Sequence, residues 1–363
     1  CPISNLVIGG DKTMADITMG YDGLRNTWGV KLLQDTVVSL DAGARKLTLA
    51  SGGVLGYDRL VLSPGIEFMF DQTPGLETDD ARRSVLHAWK AGEQTVALRK
   101  QLEDMPDGGV YALAIPKAPY RCPPGPYERA CLVADYLKTY RGAGSRVIVL
   151  DENATIQAER ETFTHAFGVT HAGVIRYEAG VTGIQIDPVS RRVSYLDAVG
   201  NPQMIDAQAI NPIPPHRATG SSAGGWLAAA GLNNSVDGRW CVVDVLSYES
   251  TAQPGIHVIG DASSCGLPKA GHVANQEAKI CADAIVRLLA GQQPDPAPVA
   301  NSACYSPITA STASWLTVVF GYDSATGTMK AVPGAAGEAS SATRDNYDDM
   351  FVWFNNLMGD TFA

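Results

Sequence analysis

The sequence predicts an α/β protein made of two dinucleotide-binding, Rossmann-like units followed by a small α+β C-terminal domain. Three observations carry this. Residues 109–115 and 145–150 are short apolar strands, the second closed by Asp151, with helical spacing over 127–140 between them: a βαβ unit of ordinary size. Residues 254–262 form a further apolar strand ending in Gly260-Asp261, with a long helical stretch over 274–289 behind it. And 363 residues, 45% hydrophobic and 18% charged, suffice to bury the cores of two or three domains.

The other elements are placed around these in chain order. Residues 36–40 and 46–50 read as paired strands about the turn Asp41-Ala42-Gly43, and 56–65 as one buried strand stopped by Pro64-Gly65. Residues 91–105 have helical spacing. The stretch 171–210 is β-rich, with strands expected at 181–186, 193–196 and 208–212. Residues 292–298, rich in proline, read as a linker, and the Gly/Ala/Ser-rich 331–343 as a loop. The expected units are therefore 1–75 with 220–293, then 76–219, then a C-terminal domain over 294–363.

A formal net charge of −10 disfavours nucleic acid or an anionic membrane surface as partner, and suits a basic protein or a small anion held locally. No run of 18 apolar residues occurs, so no membrane span is expected. The seven cysteines are Cys1, Cys122, Cys131, Cys241, Cys265, Cys281 and Cys304; none forms a CxxC or a haem-attaching CxxCH. Metal sites and a haem on this chain are not expected. Cys131, Cys241, Cys265 and Cys281 read as small apolar packing groups.

The string Arg121-Cys122-Pro123-Pro124-Gly125-Pro126-Tyr127-Glu128-Arg129 stands where a dinucleotide fold would carry its glycine-rich turn. A thiol and a carboxylate six residues apart, on a proline-laced turn opening a helix, suit sulfur redox chemistry. Arg121, Arg129 and the helix start are expected to lower the Cys122 thiol pKa. The plain alternative for Glu128 is an acid sitting favourably in a first helical turn. Pro116-Lys117-Ala118-Pro119 replaces the flexible glycines that a pyrophosphate would need in this unit, so no NAD(P) binding is expected. Gly260-Asp261 puts a carboxylate at the carboxyl edge of a sheet, where it can accept from a ribityl hydroxyl, or it simply ends a strand. Pro268-Lys269-Ala270-Gly271-His272 then leads into a helix whose first N–H groups can stabilise negative charge on a reduced flavin ring; His272 belongs to that site or is an ordinary loop histidine.

These residues, with Cys1-Pro2-Ile3-Ser4-Asn5, Tyr21 to Arg25, His87 to Gln94 and Phe354-Asn355-Asn356, together resemble the flavoprotein subunit of flavocytochrome c sulfide dehydrogenase, over nearly the whole chain. The resemblance implies a glutathione-reductase-type pair of dinucleotide domains with FAD in the first. It implies that Cys1 carries the flavin through an 8α thioether and that Cys122 and Cys304 form a redox-active disulfide beside the ring. Glu128 would be the active-site base. Val38, Pro64, Gly65, Trp89, Gly260, Asp261, Lys269, Gly271, His272 and Trp353 would hold or flank the cofactor. A Cys122–Cys304 bridge would also serve as a staple stabilising the fold by roughly 5 kcal/mol.

The resemblance further implies a periplasmic heterodimer with a c-type cytochrome that bears the haem c. Hydrosulfide would open the disulfide, leaving a persulfide and a thiolate, and two electrons would pass to FAD and singly to the haem. Two other readings stand beside this: a sulfide:quinone oxidoreductase, disfavoured by five acids against Lys330 and Arg344 in residues 330–363, and a non-catalytic flavin docking subunit. A pyridine-nucleotide disulfide reductase is a third. Family members carry G-x-G-x-x-G on a first strand and helix, and nothing like it stands here; about 40 residues holding it are expected upstream of Cys1.

Overall fold

The computed structural model describes residues 2–363. The second unit is a parallel four-stranded sheet in the order Ala209–Pro212, Val110–Ile115, Arg146–Asp151, Ile175–Ala179. Its central strands are nearly continuous apolar runs because both faces are covered. The crossover between the two central strands contains the helix Gly125–Tyr140, buried along most of its length. Prolines cluster at its start, where a missing backbone N–H costs nothing and a fixed φ suits the first turn. At the sheet's carboxyl edge Asp151 accepts from Tyr127 Oη at 2.7 Å and Tyr177 Oη at 2.9 Å, locking helix to strands.

The first unit holds a mixed five-stranded sheet in which Ile256–Val258 runs parallel to Leu60–Leu62 and Cys241–Asp244 parallel to Ser263–Ser264. The single strand expected over 56–65 is two. Val54–Gly56 pairs with Lys46–Leu49 in an outer antiparallel sheet, and Leu60–Leu62 joins the central one. The chain must change sheets between them, and Arg59 anchors the crossing by an ion pair to Glu249 at 3.2 Å. Helix Gly271–Leu289 buries Val273, Glu277, Cys281 and Ala284, one stripe at helical spacing. The antiparallel pair Ile66–Phe68 with His216–Ala218 joins the two units.

The C-terminal part is three long antiparallel strands, Val299–Thr309, Thr312–Asp323 and Thr328–Glu338, followed by helix Arg344–Phe362. The loop expected over 331–343 is therefore mostly strand. Gly337 serves close packing, pairing with Thr317 where an added Cβ would sit 3.5 Å from the Trp315 ring, while Gly334, at φ 76°, lies where the pairing register shifts. The final helix is capped by Thr343 Oγ1, which accepts from the Asn346 N–H, and buries Tyr347, Met350, Phe354 and Leu357. Tyr347, Met350 and Phe354 pack with Ile3, Leu6 and Val7 of the N-terminal segment and with Leu132, so the first and last helices meet against the Gly125–Tyr140 helix. Among the described residues no helix is long and apolar enough to cross a membrane.

Candidate active site

The turn carrying Cys122 is held from three sides. The Cys122 N–H donates to the Lys269 carbonyl at 2.7 Å, the Arg121 N–H to His216 Nε2 at 3.2 Å, and the Gly125 N–H to the Cys122 carbonyl at 2.9 Å. His216 Nδ1 lies 2.7 Å from the Pro214 carbonyl, which places the ring proton on Nδ1 and leaves Nε2 to accept. Burial pushes this imidazole down to about 3, so it stays neutral. These contacts impose φ 56° on Cys122, a left-handed conformation that costs a side-chain-bearing residue on the order of 1–3 kcal/mol. Ile3 at 54° and Ala88 at 44° share it, and all three line one cavity.

Glu128 sits in the first turn of the Gly125 helix yet is only 6% exposed. Asn5 explains why. Its Nδ2 donates to Glu128 Oε1 at 3.0 Å and to the Gly125 carbonyl at 3.1 Å, while its Oδ1 accepts from Arg129 Nε at 2.9 Å. Arg129, fully buried, also donates to Asn211 Oδ1, the His87 carbonyl and the Ala88 carbonyl at 2.8–2.9 Å, and its guanidinium lies 4.7 Å from the Trp89 ring centre. One buried cation thus holds the strained Ala88 and Trp89 against the Cys122 helix. Arg129→Met takes a donor from four acceptors, leaving Asn5 Oδ1 and the Ala88 carbonyl with none, and is expected to cost about 3–5 kcal/mol, read as a lowered midpoint in urea unfolding.

Burial raises the Glu128 carboxyl to about 8; the Asn5 hydrogen bond and Arg129 oppose that, and Glu159 adds to it. The group therefore holds its proton at pH 7 and releases it just above, the range in which a carboxyl can serve as acid or base.

Cys122 and Cys304, far apart in sequence, line the same cavity, which encloses about 280 Å³. Both are free thiols in this structure, and each keeps a partly exposed surface toward the cavity. The lowered Cys122 thiol pKa expected from Arg121, Arg129 and the helix start is not found. Burial, followed by the Glu128 charge, pushes the thiol up to about 11, and Arg121 offsets only part of this. Cys304 is also raised, by burial first, then by Cys122, Glu159 and Glu128. Local positive charge was legible in the sequence; desolvation by the tertiary packing was not.

Gly65, Trp89, Cys122, Glu128, Gly260, Asp261, Lys269, Gly271, His272, Cys304 and Trp353 all line this cavity. Pro64 lies between two lining residues, Ser63 and Gly65, without lining it itself. Val38 is on the exposed outer hairpin, away from the cavity. Cys1 lies outside the described residues; Pro2 to Asn5 border the cavity. Asn5, Arg129 and His216 belong to the site's framework, and sequence reasoning gave Asn5 and His216 no role there. Asn5 stood inside a quoted motif, which was the available signal; His216 offered none.

The cavity's donor set matches a flat, largely apolar ring with hydrogen-bond acceptors and the capacity to carry negative charge. The indole N–H groups of Trp89 and Trp353 are buried with no partner in the protein. No side chain caps the Gly271 helix, whose N-terminus faces the cavity. Gly65, at φ 67°, has open space where a Cβ would project. Lys269 Nζ bonds the Asp261 and Ser263 carbonyls at 3.0 and 2.6 Å, and Arg121 pairs with Asp261 at 3.4 Å, so cations border the same wall. His272 Nδ1 accepts from the Ala303 N–H at 3.0 Å and packs edge-on to Trp353, tying this wall to the Cys304 strand. A flavin ring fits these groups. Among the described residues, no group of three or more His, Cys, Asp or Glu could hold a metal.

Residues 95–214 match the family described as the sulfide dehydrogenase (flavocytochrome c) flavoprotein chain, central, and residues 296–362 match flavocytochrome c sulphide dehydrogenase, flavin-binding. Together the matches span just over half of the chain. Among solved structures, the chain is similar in fold to the sulfide:quinone oxidoreductase of the hyperthermophilic bacterium Aquifex aeolicus, at 17% identity and TM-score 0.75 over 98% of this chain and 82% of that one. It is also similar to a ferredoxin reductase from Rhodopseudomonas palustris, at 18% identity and TM-score 0.60 over 88% and 72%. A NAD-dependent persulfide reductase from A. fulgidus shares the fold at 14% identity and TM-score 0.59 over 96% and 68%. At these identities the likeness speaks for the fold: two Rossmann-like domains and a C-terminal domain.

Proposed function

The chain belongs to the flavoprotein family of flavocytochrome c sulfide dehydrogenase, and from that premise we propose that it oxidises sulfide to zero-valent sulfur through a Cys122–Cys304 disulfide and passes the electrons to a c-type cytochrome. It is a flavin-dependent oxidoreductase acting on sulfur compounds; the substrate, the disulfide and the acceptor are the finer reading. The observation that carries it is the convergence of two distant cysteines and a buried carboxyl on one cavity with a flavin-compatible donor set.

The charges around the pair assign the roles. Glu128 opposes a thiolate on either sulfur, but Cys304 is also faced by Glu159, whereas Cys122 has Arg121 beside it. Thiolate is therefore better placed on Cys122, so hydrosulfide attacks Cys304 Sγ: the cysteine–cysteine bond breaks, a new S–S bond forms on Cys304, and Cys122 leaves with the negative charge. A second hydrosulfide takes the outer sulfur. Across the cycle two HS⁻ become HSS⁻, one proton and two electrons, with the proton accepted at Glu128. When bound, the flavin supplies the two-electron acceptor for reclosing the disulfide and can release electrons one at a time. Gly65, Gly260, Asp261, Lys269 and the Gly271 helix start would hold it, with Cys1 as its covalent anchor.

The acceptor in this reading is a separate cytochrome subunit carrying haem c, in a periplasmic heterodimer. A net charge of −10 suits a basic partner face. Sulfide-dependent reduction of cytochrome c, with no comparable reduction of a soluble quinone, is the expected result; preference for the quinone would instead favour a sulfide:quinone oxidoreductase. The anchor has its own test. Acid precipitation of the protein is expected to leave the yellow chromophore in the pellet, and the same treatment of Cys1→Ser to release it to the supernatant. Flavin released equally from both would reject the thioether.

A further inference from the structure

The strand bearing Cys304 has a second buried acid against the face that Cys304 occupies. Glu159 directly precedes the short helix Arg160–His165 with φ 47°, is 3% exposed, and its Oε1 has no hydrogen-bond partner. Its Oε2 accepts from the Ser306 hydroxyl. Ser306 stands two residues beyond Cys304 on Val299–Thr309, so the two side chains share a face, and it pairs with Ser314 on the next strand. The groups facing Glu159 are Ser306, Ser314 and Glu338 from the C-terminal sheet, Glu128 and Cys131 from the Gly125 helix, and Cys304. Arg160, next in the chain, is exposed and lines a separate cavity with Tyr177. A backbone in the left-handed region and a buried oxygen without a partner are both costly, and residues that keep such costs cluster at functional sites.

We propose that Glu159 is a positioning residue that sets the acidity of the Cys304 thiol from the same face of its strand, an inference resting on the reading of Cys122 and Cys304 as the redox pair. Ionised Glu159 opposes a thiolate on Cys304 and so holds that sulfur as the one that receives hydrosulfide; the neutral carboxyl relaxes the preference. The coupling is reciprocal, since a thiolate on Cys304 makes Glu159 harder to ionise. Burial raises Glu159 to about 7 against the opposing influence of the Ser306 and Ser314 hydroxyls, which puts the change of state near neutral pH.

The test is the alkylation rate of Cys304 by iodoacetamide in the flavin-loaded Cys122→Ser protein, read at the Cys304 peptide by mass spectrometry across a range of pH. The logarithm of the rate is expected to rise with pH, flatten where Glu159 ionises, and rise again. Adding Glu159→Gln removes the flattening near pH 7 and speeds alkylation above it by about tenfold or more. An unbroken rise in the first protein, or an unchanged profile in the Gln variant, overturns the proposal. Should Glu159→Gln not fold, Glu128→Gln in the same Cys122→Ser background must keep the flattening near pH 7, and its loss there overturns the proposal equally. None of this requires sulfide turnover. A coupled profile, with a wild-type protein inert to sulfide, rejects the redox reading alone, whereas an uncoupled profile, with a wild-type protein that oxidises sulfide, rejects the role of Glu159 alone.

Discussion

Cys304→Ser protein, purified with its flavin, loses sulfide-dependent reduction of cytochrome c by at least about a thousandfold. A hydroxyl cannot form or exchange an S–S bond, so hydrosulfide has nothing to open and no sulfur on which to be held. The substitution is nearly isosteric and falls on a strand paired along its length, so relative to the wild type with its disulfide reduced, stability should change by no more than about 1 kcal/mol and the flavin spectrum should remain. Loss of activity with an intact spectrum separates catalysis from docking. A subunit that only shuttled electrons or positioned the cytochrome would keep its turnover. Cys122→Ser should be as inactive, although its left-handed backbone makes folding a less secure control.

Glu128→Gln is expected to lower kcat/KM for sulfide by about 10²–10⁴-fold, the usual worth of a positioned base. It should also flatten the pH profile. In the wild type the carboxyl must be ionised to accept a proton, so kcat/KM rises through the Glu128 titration at about pH 8. A Gln variant that kept this limb would assign it to another group. The same residue bears on stability with a definite sign. Its folded pKa, about 8, lies above its ordinary value of 4.5, so the native state binds more protons than the unfolded one between these values. Stability therefore falls as pH rises through that window, by roughly 3–5 kcal/mol for this group alone, and Glu128→Gln should remove that part of the slope in urea titrations at pH 5 and 9. Equal slopes in both proteins would mean that the carboxyl is not desolvated as described.

The parts of the fold legible in the sequence were those whose local pattern matched their final environment. The strands at 110–115 and 146–151 have apolar interiors because both faces are covered, by helices on one side and by the antiparallel strands at 182–206 on the other, and the prolines before Tyr127 mark a helix start on their own. Residues 328–338 were illegible for the opposite reason: Gly337 there fits against Trp315, a partner that only the assembled sheet supplies. The site divides the same way. Cys122 and Glu128 are close in sequence on one turn and could be read together from their chemistry. Their burial could not, since it comes from Asn5 more than a hundred residues upstream and from the Cys304 strand nearly two hundred downstream. Arg121 and Arg129 argued for an acidic thiol, yet Arg129 spends its donors on Asn5, Asn211 and two backbone carbonyls, and desolvation outweighs what charge remains. His216, which fixes the Arg121 N–H, announces itself in no motif.

The most direct measurement is an anaerobic titration of the purified, flavin-loaded protein with sulfide, followed through the visible flavin absorbance and checked against the Cys304→Ser variant. Stepwise bleaching of the wild-type flavin, restored by oxidised cytochrome c and absent from Cys304→Ser, is the predicted result. A wild-type spectrum unmoved by sulfide, in a protein whose flavin dithionite still reduces, would contradict sulfide oxidation at the Cys122–Cys304 site.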